Sequence, residues 1–106
     1  MKAIYVAGPF RASSVWEMEA NIRRAEEVAL EVWRKGYAAI CPHAMTRFYQ
    51  GALPDETWLD GDLEILSRCD GVLMVGEWWR SVGSRREQET AIRLEIPLYY
   101  SLDELP

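Results

Sequence analysis

The chain has 106 residues, 49% of them hydrophobic and 27% charged, with a formal net charge of -5. That length suits one domain spanning residues 1–106 rather than two, and the balance excludes the disordered, collagenous and disulfide-scaffold classes. The negative charge argues against a partner that is a nucleic acid polymer, and the small size makes self-association into a homo-oligomer a natural expectation.

The first strand is expected at Lys2 to Ala7, where Ile4, Tyr5 and Val6 form a β-rich run that Gly8-Pro9 closes. A loop then carries Phe10 and Arg11. A helix begins near Ser14, because Ser14 and Glu17 have the capping-box spacing in which hydroxyl and carboxylate each satisfy a free amide. Met18, Ile22, Ala25, Ala29 and Val32 repeat along it at helical spacing, and Gly36 stops it. Tyr37 to Cys41 reads as the second strand, broken by Pro42, with His43 in the loop after it.

Residues Ala44 to Pro54 read as irregular, with one helical turn around Met45 to Tyr49. Asp55 or Thr57 caps a further helix running to about Cys69, and the third strand covers Gly71 to Val75. A last helix spans about Ser84 to Leu94, Pro97 to Tyr100 supplies a fourth strand, and Ser101 to Pro106 remain as an acidic tail. Strands alternating with helices mean an α/β domain, a small doubly wound parallel sheet of about four strands with helices on both faces.

Cys41 and Cys69 have no metal-ligand spacing, and each ends an apolar run where a thiol packs as a small hydrophobe. No run approaches the ~20 apolar residues that span a bilayer, so no membrane partner is expected. MKAIYVAGPF lacks a signal peptide's length and cleavage site, which makes the cytoplasm the expected location. Ten of the twelve basic residues are Arg, and Arg80, Arg85 and Arg86 fall close together; such side chains suit phosphate or a solvated surface.

In doubly wound sheets ligands bind beyond the carboxyl ends of the strands, near the point where strand order reverses. That rule selects Gly8 to Arg11, His43, and Gly76 to Ser84. Two acids point toward the same region. Asp62 has apolar residues at its helical offsets, namely Trp58, Leu59, Ile65, Leu66 and Cys69. It is either a functional carboxyl group, an acid bonded to loop amides, or a residue exposed by a helix break at Gly61. Glu87 has Thr90, Ala91 and Leu94 on its face, and its place in the first helical turn favours an ionised side chain. Two inward acids suit glycosidic chemistry, where one protonates the leaving group and the other attacks the anomeric carbon.

Tyr5-Val6-Ala7-Gly8-Pro9, the run Asp62-Leu63-Glu64-Ile65-Leu66 leading through Cys69-Asp70, and Ser81-x-Gly83-x-x-x-Glu87-x-x-x-Ala91 resemble the nucleoside 2-deoxyribosyltransferase superfamily. That superfamily includes deoxynucleoside 5'-monophosphate N-glycosidases, and the resemblance spans nearly the whole chain. It implies a flavodoxin-like domain that cleaves or exchanges the N-glycosidic bond of a nucleoside or nucleoside 5'-monophosphate. It places the nucleophile on Glu87, the acid that protonates the departing base on Asp62, and the group that positions Glu87 on Tyr5. Arg11 and Ser81 match residues that hold the phosphate, and His43 matches one near the base. Gly8, Pro9, Phe10 and Gly83 complete the expected substrate contacts, and no metal or organic cofactor is implied.

The family's glycine two residues after its glutamate is here Glu89, which is expected to crowd Glu87; its acid at the end of strand three has an approximate counterpart in Glu77. Asp70, between Cys69 and Gly71, reads as a turn or cap residue. Trp78 and Trp79 suit either stacking on a base or an interface. The rival functions are a noncatalytic nucleotide-binding or sensing module and an assembly protein that uses this tryptophan pair.

Overall fold

A computed structural model describes all residues, 1–106. Four parallel strands, β1 (Ala3–Ala7), β2 (Ala38–Ile40), β3 (Gly71–Met74) and β4 (Leu98–Tyr99), lie in the order β2-β1-β3-β4. After β1 the chain moves outward to β2, then returns to place β3 on the other side of β1, so the strand order reverses between β1 and β3. This is the doubly wound, flavodoxin-like α/β arrangement expected from the sequence. Ile4 pairs with both Ala39 and Gly71, which fixes the central register.

Alternation along β1 divides the core into two layers. Ile4 and Val6 face α1 (Val15–Arg34), where Ile22, Ala25, Ala29 and Val32 form the buried stripe; Met18 is only half-buried. Tyr5 and Ala7 face the opposite way, onto Leu66 of α3 (Asp55–Leu66) and Ala91 of α4 (Val82–Arg93). Each large aliphatic side chain buried in these layers contributes about 1.5 to 3 kcal/mol.

Several local expectations change. Ser14 does cap α1, accepting from the Glu17 amide at 3.1 Å, but the Glu17 carboxylate accepts from the Ser13 hydroxyl instead of returning to the cap amide. Helix α3 is capped by neither Asp55 nor Thr57: Pro54 holds the cap position, and Asp55 and Glu56 lie inside the first turn, where their charge complements the helix dipole. It runs unbroken through Gly61 and ends at Leu66, before Cys69. His43 sits on a short helical turn, α2 (Pro42–Met45), not in a loop, and a 3-10 turn follows at Arg47–Tyr49.

The last segment is no loose tail. Its 3-10 turn, Leu102–Glu104, puts Leu105 into the core beside Ile4 and Val32. The Lys35 ammonium donates to the carbonyls of Leu102 at 2.6 Å and Leu105 at 2.9 Å, tying it to the end of α1. Asp70 is structural as read, accepting from the Ala3 amide at 2.8 Å and so anchoring the start of β1. Cys41 and Cys69 are free thiols. No helix is long and apolar enough to cross a membrane.

Candidate functional site

The strand-order reversal opens a cleft of about 1250 Å³ above the carboxyl ends of β1 and β3. Two glycines shape its floor. A Cβ on Gly8 would lie 2.5 Å from Val75 Cγ2, so only glycine lets the end of β1 approach β3 this closely. Gly76 turns the chain out of β3 with φ 61°, in the left-handed region that L side chains avoid.

The loop after β1 is gripped from both sides. The Asn21 amide donates to the Phe10 carbonyl at 3.2 Å. Opposite, His43 Nε2 lies 3.0 Å from the Pro9 carbonyl, and since a carbonyl only accepts, that nitrogen carries the hydrogen. The imidazole also meets the Phe10 ring edge-on, with centroids 5.4 Å apart. Burial lowers the His43 pKa despite hydrogen bonding to the backbone of Pro9 and Gly8, so the ring is neutral at pH 7.

The two acids arrive from the helices on the Tyr5 side of the sheet. Asp62, half-buried on α3, and Glu87, only 6% exposed on α4, both border the cleft. The Tyr5 hydroxyl, fully buried in the core, donates to Glu87 Oε2 from behind the cleft wall. Desolvation raises Asp62 to about 6. Desolvation, reinforced by the Asp62 charge and opposed by the Tyr5 hydrogen bond, raises Glu87 to about 8. Burial and both neighbouring carboxylates push Tyr5 well above its ordinary value, so it remains a donor at neutral pH.

These environments correct the expectation of an ionised Glu87 in the free protein. Helix α4 starts at Val82 rather than Ser84, which moves Glu87 into the second turn, beyond the reach of the free amides. Desolvation then dominates, and it favours the protonated form of Glu87 in the free chain more strongly than that of Asp62. Glu89 does not crowd it: that side chain is exposed and contributes nothing to the Glu87 shift.

The expected phosphate contacts differ in availability. Ser81 caps α4, its hydroxyl oxygen accepting from the Ser84 amide at 3.1 Å while its own hydrogen stays free to donate. The amides of Val82 and Gly83, at the head of the helix, have no intrahelical acceptor. Arg11 borders the cleft but is ion-paired with Asp55 at the head of α3. Glu77 also borders the cleft and is exposed, with Arg80 at 3.3 Å.

The tryptophan pair divides. Trp79 borders the cleft and is 54% exposed, whereas Trp78 turns inward against the Tyr5 layer and stacks at a tilt on Tyr100, centroids 5.7 Å apart. Trp58, read from the sequence only as part of the apolar stripe of α3, borders the cleft, as do Ser84, which closes the expected 76–84 stretch, and Trp16 on α1. Their helical offsets from Asp62 and Glu87 were the available signal for the first two. All the expected substrate contacts, Gly8, Pro9, Phe10, Arg11, His43, Ser81 and Gly83, line this one cleft with Asp62 and Glu87, and Tyr5 reaches it only through Glu87.

Residues 2–101 match the family model described as a domain of unknown function (DUF7768). No curated protein matches the chain.

Proposed function

The chain belongs to the DUF7768 family, and from its site we propose that it cleaves or exchanges the N-glycosidic bond of a nucleoside or nucleoside 5'-monophosphate. The observation that carries this reading is the Tyr5-Glu87-Asp62 group: two carboxyl groups at about 6 and about 8, with a buried hydroxyl fixing one of them. Such displaced acids in a cleft are the usual mark of acid-base machinery. The similarity to the nucleoside 2-deoxyribosyltransferase superfamily at Tyr5, Asp62 and Ser81-x-Gly83-x-x-x-Glu87 supports it.

Chemistry requires a proton on Asp62 and the charge on Glu87. Positive charge developing at the anomeric carbon stabilises the Glu87 carboxylate, which drives the proton to Asp62 as the bond stretches. The electrons of the C1'–N bond leave with the base, which takes the Asp62 proton, while a Glu87 oxygen bonds to C1'. Attack of water at C1' breaks the bond to the Glu87 oxygen and passes a proton to the Asp62 carboxylate, which gives hydrolysis; attack of a second base, losing its N–H proton in the same way, gives exchange. Tyr5 stays protonated and holds the Glu87 carboxylate in line throughout. A 5'-phosphate would take the Ser81 hydroxyl and the free amides of α4, and Arg11 once released from Asp55. Trp79 offers a face for the base.

The same reading extends to self-association, supported by Trp16 at 85% and Phe48 at 84% exposure, large apolar rings that a partner copy would cover. Sedimentation would find a dimer or larger species; a monomer at all concentrations would refute this part.

Incubation with ribo- and deoxyribonucleosides and their 5'-monophosphates, with Glu87→Ala as control, tests the activity. Free base from at least one substrate, absent with the variant, is the expected result. Tight binding with no base released would establish the noncatalytic nucleotide-binding module instead.

A further inference from the structure

Buried polar atoms in folded proteins nearly always have a hydrogen-bond partner, and each exception calls for an explanation. Four side-chain atoms here have none: Glu26 Oε1, Arg47 Nε, Trp58 Nε1 and Ser84 Oγ. The first two belong to residues already paired with each other, Arg47 lying 3.7 Å from Glu26 Oε1. The other two are different in kind. Both residues border the cleft, and neither atom has any protein group to satisfy it.

Their placement is systematic. Trp58 precedes Asp62 by four residues on α3, and Ser84 precedes Glu87 by three on α4, so each shares a helix face with an acid and lies one turn, about 5.4 Å, nearer the helix N-terminus. The two helices pack against each other, and each donor lies about one turn outward from its acid along the cleft they border. Ser84 is only 1% exposed, so bulk water does not satisfy its hydroxyl.

We propose that Ser84 and Trp58 are substrate contacts that read, respectively, a ring hydroxyl of the sugar and an acceptor atom of the base. This rests on the nucleoside reading of the site. Glu87 there meets the anomeric carbon, and the ring's hydroxyl substituents span the single turn to Ser84. Asp62 meets the leaving nitrogen, and an indole N–H, which can only donate, requires a carbonyl or ring-nitrogen acceptor further along the base. A site with a hydrogen-bonding group committed to a hydroxyl discriminates against the analogue lacking it, because the buried group is then left unpaired. Ser84 therefore sets the choice between sugars that carry that hydroxyl and sugars that lack it.

Calorimetric titration of ribonucleosides and their 2'-deoxy and 3'-deoxy forms, into the wild-type chain, Ser84→Ala and Trp58→Phe, tests this. Ser84→Ala should weaken binding about tenfold for sugars carrying the recognised hydroxyl and leave the form lacking it unchanged. Trp58→Phe keeps an aromatic ring but removes the N–H, and should weaken all three sugar forms by a similar factor. Removing a hydroxyl with no partner also raises the melting temperature of the free Ser84→Ala chain by a few degrees, a readout that a structural serine would reverse. Unchanged discrimination between the three sugars, or a lower melting temperature in Ser84→Ala, would overturn the assignment of Ser84; unchanged affinity in Trp58→Phe would overturn that of Trp58. If the wild-type chain binds none of these ligands, the nucleoside reading itself fails, an outcome distinct from binding that the variants leave intact.

Discussion

Replacing Glu87 by glutamine should abolish most of the loss of stability that the protein suffers between mildly acidic and mildly alkaline pH. Glu87 titrates at about 8 in the folded chain against an ordinary 4.5, chiefly because burial disfavours its charged form. Between those values the unfolded chain has released a proton that the folded chain still holds, so stability falls as pH rises through this window and levels off above it. At about 1.4 kcal/mol per pH unit the full displacement corresponds to roughly 4 to 5 kcal/mol, a large share of the 5 to 15 kcal/mol typical of a domain. Asp62, displaced from 3.8 to about 6, adds a decline confined to the lower part of the range. Urea unfolding followed by tryptophan fluorescence at pH 5 to 9 should show the wild-type midpoint dropping by about 2 M. The Glu87→Gln midpoint should change little above pH 6. Parallel curves for the two proteins, or a wild-type midpoint that rises through this range, would refute the burial argument.

Other perturbations probe separate parts of the structure. Tyr5→Phe deletes the hydroxyl that holds the Glu87 pKa down, so the alkaline limb of base release should move up by about one to two pH units while the neutral rate falls about ten- to a hundredfold; a rate loss with an unmoved limb would contradict the positioning role. Asp55→Asn frees Arg11, and should lower KM for a nucleoside 5'-monophosphate up to about fivefold without altering KM for the unphosphorylated nucleoside, the scale expected of an exposed ion pair. Glu95, which ends α4 at φ 58°, should be improved by glycine, with Glu95→Gly raising stability by about 0.5 to 1 kcal/mol in thermal unfolding. Gly8→Ala drives a methyl group into Val75 and should cost about 1 to 3 kcal/mol, measured in the same way.

Periodicity alone determined much of this protein. The continuous apolar, β-rich run at Ile4 to Ala7 specifies a strand buried on both faces, and the helical stripe from Ile22 to Val32 specifies a helix that covers one of them. Alternation of such elements sufficed for the α/β class, and the same periodicity marked Asp62 and Glu87 as acids on faces that should have been apolar. Shifts of a few residues at element ends were harder to read, and one of them mattered: moving the start of α4 from Ser84 to Val82 placed Glu87 in the second turn and exchanged a favourable dipole for burial.

Tertiary structure decided the protonation and the partners. The Tyr5 hydroxyl meets a carboxylate 82 residues away, Arg11 finds Asp55 across the mouth of the cleft, and Leu105 closes a core begun at Ile4. Helical spacing placed Trp58 on the Asp62 face, but whether that face met core or cleft depended on where α3 came to rest against α4. Local pattern fixes which face of an element turns inward, whereas a group's charge and unmet hydrogen bonds depend on desolvation by residues distant in sequence.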